Sequence, residues 1–197
     1  MDLRTYPDRE LMFLSLADQI AGQLADFLRR LGRASLCVPG GSTPGPVFDP
    51  LSGVALDWAK VAVFLNDERW VPESSDRSNT RLLRERLIRG KAAAAELVPL
   101  YLPGMSAEAA MAVLETGLRQ HLPISVLLLG MGNDMHTASL FPGADRLAEG
   151  LAADAPLLLP MRAEAAVEPR ITLTGPVLRR AMNIHVLITR AGKRPAL

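Results

Sequence analysis

The chain alternates between helical and extended patterns along its length. Leu16, Ile20, Leu24, Phe27 and Leu31 recur at intervals of three and four, the spacing of one helical face, and Gly32 supplies a stop. The short apolar run "ASLCV" then reads as a buried strand. "PGGSTPGP" follows, with Thr43 as N-cap and Pro44 at the first helical position. "VAVFLND" is the next strand, and "SNTRLLRERLIRG" enters a helix with Asn79 near its cap and Gly90 near its stop. "SAEAAMAVLETGLRQHL" is a second long amphipathic helix, and "ISVLLLG" a strand of unbroken hydrophobicity. Such strands are covered on both faces, as in parallel sheets. "APLLLPM" reads as a short strand, "RITLTGPVLRRAM" as strand, Gly-Pro turn and helix, and "NIHVLIT" as a last strand. The alternation predicts an α/β fold with a mostly parallel central sheet flanked by helices, as one domain over residues 1–197. In such sheets ligands bind beyond the carboxyl ends of the strands, where the polar clusters of this chain lie.

Composition narrows the chemistry. The 197 residues are 49% hydrophobic and 22% charged, enough for a substantial core without cross-links. Lys and Arg total 22 against 21 Asp and Glu, a net charge of +1. That balance argues against nucleic-acid and membrane partners, so attraction for an anion has to be local. The single cysteine, Cys37, cannot form an internal disulfide and lies within "ASLCV", which suits a buried thiol in a reducing cytoplasm. The opening "MDLRTYPDREL" is charged and carries Pro7, unlike a signal peptide. The longest apolar run is too short to cross a bilayer.

Four clusters carry candidate chemistry. Gly40, Gly41, Ser42 and Thr43 sit between strand and helix, where glycines admit a ligand to the backbone and helix-start N–H groups attract anions. The pattern is neither a Walker loop nor G-x-G-x-x-G. Asn66, Asp67, Glu68 and Arg69 end a strand, with Ser78 and Asn79 further on. They read either as a solvated charged turn or as an Arg aimed by acidic neighbours at an anion. "GMGNDMHTASLFPG", residues 130–143, places Asp134 and His136 among glycines after the most apolar strand, with "TASLF" as a helix start. Imidazole is suited to take and return a proton near neutral pH, and an acid two residues away can orient it. Arg170 with Thr172 and Thr174, and later Lys193, read either as a half-exposed edge or as a local positive field. His121 and His185 are weaker candidates, and no His, Cys or carboxylate spacing suits a metal.

Together, "PGGSTP", "NDERWVP" with "SN", "LGMGNDMHTASLFPG" and "RITLTGPVLRRA" with "GK" resemble the 6-phosphogluconolactonases, in the expected order and over most of the chain. The resemblance implies a Rossmann-like fold shared with glucosamine-6-phosphate deaminases. It also implies hydrolysis of 6-phosphoglucono-1,5-lactone to 6-phosphogluconate in the pentose phosphate pathway, without metal or organic cofactor. His136 matches the family's general base, Arg69 a reactive-site residue, and Asp134 the acid before the His. Gly41, Ser42, Thr43, Arg170 and Lys193 match positions holding the phosphate end, with Asp67 and Asn79 as further substrate contacts. Backbone N–H groups at residues 130–132, or Arg69, would meet the oxyanion.

Two departures stand out. Family members usually read Asp-Gly-His, and Met135 replaces that Gly; a positive φ there would strain it. They also usually continue beyond the Gly-Lys segment, whereas this chain stops at Leu197. The alternative readings are a glucosamine-6-phosphate deaminase and a non-catalytic sugar-phosphate sensor. Thr137-Ala138-Ser139 in place of an Asn-Glu-bearing sequence favours the lactonase over the deaminase, and the absence of a helix-turn-helix or basic stretch speaks against a DNA-linked sensor. The sequence leaves oligomeric state open.

Overall fold

A computed structural model describes residues 2–164 and 166–189. Helix α1 (Arg9–Leu31) is capped by Asp8, whose carboxylate accepts from Leu11 N–H, and ends at Gly32, whose N–H donates to Leu28 O. Its apolar stripe buries Leu16, Ile20 and Leu24, while Leu31 falls outside the stripe and is exposed. Strand β1 (Ala34–Val38) follows, then α2 (Gly45–Ser52), β2 (Val61–Leu65), β3 (Asp67–Arg69), α3 (Asn79–Arg86), β4 (Glu96–Leu97) and α4 (Ala107–Arg119). The remainder comprises β5 (Val126–Gly130), α5 (Leu147–Leu151), β6 (Leu158–Met161), β7 (Arg170–Leu173), α6 (Gly175–Arg179) and β8 (Ile184–Leu187).

Five strands form a parallel sheet in the order β4-β2-β1-β5-β8. Every residue of β1 and β2 is buried, so their continuous hydrophobicity reflects cover on both faces. Numbered as they occur in the chain, the parallel strands run 3-2-1-4-5. The order therefore reverses between β1 and β5, and that reversal is where doubly wound sheets open a crevice. Cys37 lies fully buried in β1; burial, with the charge of Asp67, pushes its thiol pKa well above the usual value. None of the described helices is long and apolar enough to cross a membrane.

The periodicity does not announce the second sheet. Residues 67–69, read as the tail of the preceding strand, form their own strand, in a small antiparallel sheet ordered β3-β7-β6. Strand β7 is its central member, which removes the half-exposed-edge reading: Thr172 and Thr174 have no exposure. Leu158, Met161, Ile171 and Leu173 from this sheet join the same hydrophobic core as the parallel sheet.

Three local expectations are corrected. Helix α2 begins at Gly45 after Pro44, with no side-chain cap, and Thr43 stays exposed rather than serving as N-cap. Helix α3 ends at Arg86, before Gly90, which starts a 3-10 turn instead. Residues 137–141 form no helix, because Ala138 takes a left-handed conformation (φ 51°) that breaks helical propagation.

Glu68 holds β3 and α3 together. It is wholly buried and its carboxylate is bonded on both oxygens. Oε1 accepts from the N–H groups of Arg69 and Asn79, each at 2.8 Å. Oε2 accepts from Thr80 N–H and hydroxyl, each at 2.7 Å, and from Ser78 Oγ at 3.3 Å. A carboxylate at a helix start satisfies orphan donors and complements the dipole. Burial raises its pKa, and the bonds from Thr80, Asn79 and Arg69 work against that rise. Glu68→Ala would strand these donors without water. The expected cost is about 3 kcal/mol or more of unfolding free energy, with Glu68→Gln intermediate, measured by urea denaturation.

Candidate active site

The β1–β5 crevice holds a cavity of about 310 Å³. One wall is the turn after β1, with Gly40, Gly41, Thr43 and Pro44; the opposite wall is the loop after β5, with Gly130, Gly132, His136 and Ala138. The second sheet closes it with Asp67, Arg69 and Arg170, and Asn79 comes from the start of α3. Strand-end clusters distant in sequence thus meet around one space. Of the expected site residues, Gly41, Thr43, Asp67, Arg69, Asn79, His136 and Arg170 line it. Ser42 is exposed and does not. Asp134 stands behind His136, off the lining. Lys193 lies outside the described residues.

The imidazole is tightly framed. His136 Nδ1 lies 2.5 Å from Asp134 Oδ1, and its ring packs against Phe141 with centroids 4.3 Å apart. Partial burial works against the Asp134 carboxylate, but the hydrogen bond and charge of the His136 ring outweigh it and hold its pKa below the ordinary value. The loop closes on itself: Gly132 N–H donates to His136 O at 2.8 Å, and Met135 N–H to Gly132 O at 3.3 Å. Gly132 N–H is therefore spent within the loop, which corrects its expected role as an oxyanion donor. A Cβ on Gly132 would fall on the His136 ring and the Asp134 carboxylate, so only glycine fits. Met135, 61% exposed, does take a positive φ of 67°, the strained conformation its place in the sequence foreshadowed.

Acidic neighbours do not aim Arg69, contrary to expectation. Glu68 points into α3, and Arg69 Nη1 instead donates to Arg77 O at 2.6 Å and Asn79 Oδ1 at 3.1 Å. The amide of Asn79 also donates to Asp67 O at 3.1 Å and nestles against Gly40, where a side chain would collide with it. Asp67 lines the cavity and is also engaged by protein groups. Its Oδ2 accepts from Ser139 Oγ at 2.6 Å and from Arg170 Nη1 at 3.4 Å. A carboxylate so engaged orients a cation; facing a phosphate directly it would repel it. Ser139 is fully buried; outside a G-x-S-x-G elbow, its sequence setting suggested no role. The only cue was its proximity to His136, because its partner lies 72 positions away.

Arg170 is mostly buried, with its guanidinium 5.5 Å from the Phe141 ring centroid. Burial lowers its pKa, Asp67 raises it and Arg69 lowers it again; a guanidinium so placed stays charged at neutral pH. Among the described residues, the Nε atoms of Arg69 and Arg170 are buried without a hydrogen-bond partner. Two arginine side chains with unspent donors beside a framed imidazole form an oxyanion-seeking cavity carrying a proton-transfer group. Among the described residues no group of three or more His, Cys, Asp or Glu is placed to hold a metal. His121 and His185 lie elsewhere, with His121 Nε2 3.6 Å from Glu96 and His185 Nε2 2.8 Å from Gln23 Oε1.

The sequence model of the family described as glucosamine-6-phosphate isomerases/6-phosphogluconolactonase matches residues 7–197. A 6-phosphogluconolactonase of Rhizobium meliloti is 46% identical over 186 residues, covering 93% of this chain and 80% of the relative. One from Caulobacter vibrioides is 37% identical over 198 residues, covering 99% and 85%. The crystal structure of a 6-phosphogluconolactonase from Shewanella baltica superposes with a TM-score of 0.90 at 36% identity, covering 95% of this chain and 81% of that one.

Gly132→Ala is expected to part the imidazole from Asp134 while leaving the core untouched. The ring resonances of His136 should move in NMR spectra, with unfolding free energy changed by less than about 1 kcal/mol.

Proposed function

The chain belongs to the family of glucosamine-6-phosphate isomerases and 6-phosphogluconolactonases, and we propose that it hydrolyses 6-phosphoglucono-1,5-lactone to 6-phosphogluconate in the β1–β5 cavity. The observation carrying this reading is the His136–Asp134 pair at 2.5 Å, opening on a cavity that also holds Arg69 and Arg170. Glucosamine 6-phosphate turnover has no comparable support, since the relatives cited bear the lactonase name.

A lactone carbonyl needs an activated water, a counter-charge for the tetrahedral oxyanion, and a proton for the departing ring oxygen. Asp134 occupies Nδ1 and fixes the tautomer, so Nε2 exchanges protons. It takes a proton from water as the water oxygen bonds to the carbonyl carbon. Collapse of the tetrahedral adduct breaks the bond from that carbon to the ring oxygen, and the imidazolium returns its proton there, leaving acid and free hydroxyl. Arg69, held by Asn79 and the Arg77 carbonyl, supplies positive charge to the oxyanion. Arg170, backed by Asp67, receives the phosphate, with Gly41 and Thr43 as its neighbours across the cavity. Binding energy at that remote end positions the reacting carbon. The buried free Cys37 suits the reducing cytoplasm, where we place the enzyme.

His136→Ala should lower kcat about a hundredfold or more, read as lactone hydrolysis above the spontaneous rate; parental activity in the folded variant removes the imidazole from the mechanism. Arg170→Ala should act mainly on KM, raising it tenfold or more, about the scale of a lost charge-assisted bond. An unchanged KM counts against its phosphate role.

A further inference from the structure

The loop that carries His136 is closed by its own hydrogen bond between Gly132 and His136, yet its backbone is strained on both sides of the ring. Met135 and Ala138, one on each side of the imidazole, both take left-handed conformations that non-glycine residues disfavour. What fixes the downstream end lies in the other sheet. Ser139, buried and next to Ala138, donates its hydroxyl to Asp67 Oδ2 at 2.6 Å and its N–H to Thr172 Oγ1 at 3.2 Å. That same Asp67 oxygen is the one facing Arg170, at the looser distance of 3.4 Å. A second route joins the same two points: the Arg170 guanidinium lies over Phe141, and the Phe141 ring packs on His136. Arg170 is thus tied twice to the imidazole loop, and its own buried Nε lacks a partner among the described residues.

We propose that Ser139 is a positioning residue through which an anion on Arg170 orders the His136 loop, so that the substrate's phosphate switches on hydrolysis as well as tethering the sugar. Resting on the lactonase reading, the inference deepens it. A dianion gives the idle Nε a partner and fixes the guanidinium plane. A fixed guanidinium fixes Asp67 and Phe141, and these hold Ser139 and the imidazole. Binding energy from a non-reacting group is then spent on arranging the reacting one.

The test separates the phosphate from the sugar. Glucono-1,5-lactone, which lacks the phosphate, should be hydrolysed slowly above background. Inorganic phosphite should raise that rate at least about tenfold, within the usual range for coupling between sites. Ser139→Ala should lose most of the activation while phosphite still competes with the phosphorylated lactone at a similar concentration. On the phosphorylated lactone the variant's deficit should fall on kcat, about tenfold, with KM within a factor of two or three. No activation at phosphite concentrations that inhibit turnover of the phosphorylated lactone overturns the inference, as does equal activation in Ser139→Ala. Phosphite that neither activates nor competes overturns it too, by removing the anion from Arg170. If the phosphorylated lactone is not turned over at all, the lactonase reading fails first; if it is turned over without phosphite activation, the coupling alone fails.

Discussion

A carboxylate without access to water governs where the reactive groups of this protein lie. Glu68 sits where the chain leaves the parallel sheet for the small antiparallel one, and gathers donors from Arg69, Ser78, Asn79 and Thr80. A carboxylate in such a place is tolerated only when its lone pairs are filled, and here they are filled by the opening turn of α3 and by Arg69 N–H. The effect is geometric as much as energetic. With the α3 start pinned to β3, Asn79 reaches back to hold Arg69 and to fill the space that Gly40 leaves open. One buried carboxyl group thereby fixes a cation, an amide and the glycine-rich turn relative to each other.

The sheet order does the rest. Because the parallel strands reverse direction of addition between β1 and β5, the turns leaving those two strands face one another across a gap. The glycine-rich turn forms one side and the His136 loop the other, and the antiparallel sheet inserts Arg69 and Arg170 from the side. The imidazole thus stands on a loop and the two arginines on strands. The strands set where the two arginine side chains emerge, whereas the loop draws part of its placement from Ser139 and Phe141.

Much of this was legible in the sequence, and what was hidden was hidden for physical reasons. Long apolar runs revealed β1, β2 and β5, and the helical stripe of α1 was plain, because burial on two faces or one face leaves a periodic trace. Glycines beside polar residues at strand ends marked both loops of the cavity. The three-residue strand β3 left no trace: at that length no period exists, and its pairing with β7 spans about a hundred residues. The separate partners of the acidic pair were hidden for a related reason. Alternation along β3 sends Glu68 to the side opposite Asp67 and Arg69, where it meets the start of α3, while Asp67 is bonded by Ser139 and Arg170 from far along the chain. Ser139 showed no supporting role because a serine beside a histidine has no pattern of its own until Asp67 is brought up against it.

The solitary thiol of β1 has a practical corollary. Cys37 has no solvent contact, and its environment keeps the sulfur protonated, so an alkylating reagent finds it inert while the parallel sheet stays closed. Modification of that single sulfur therefore clocks the opening of the central strands, and with no second cysteine to share the label the native chain carries its own timer for the breathing of its core.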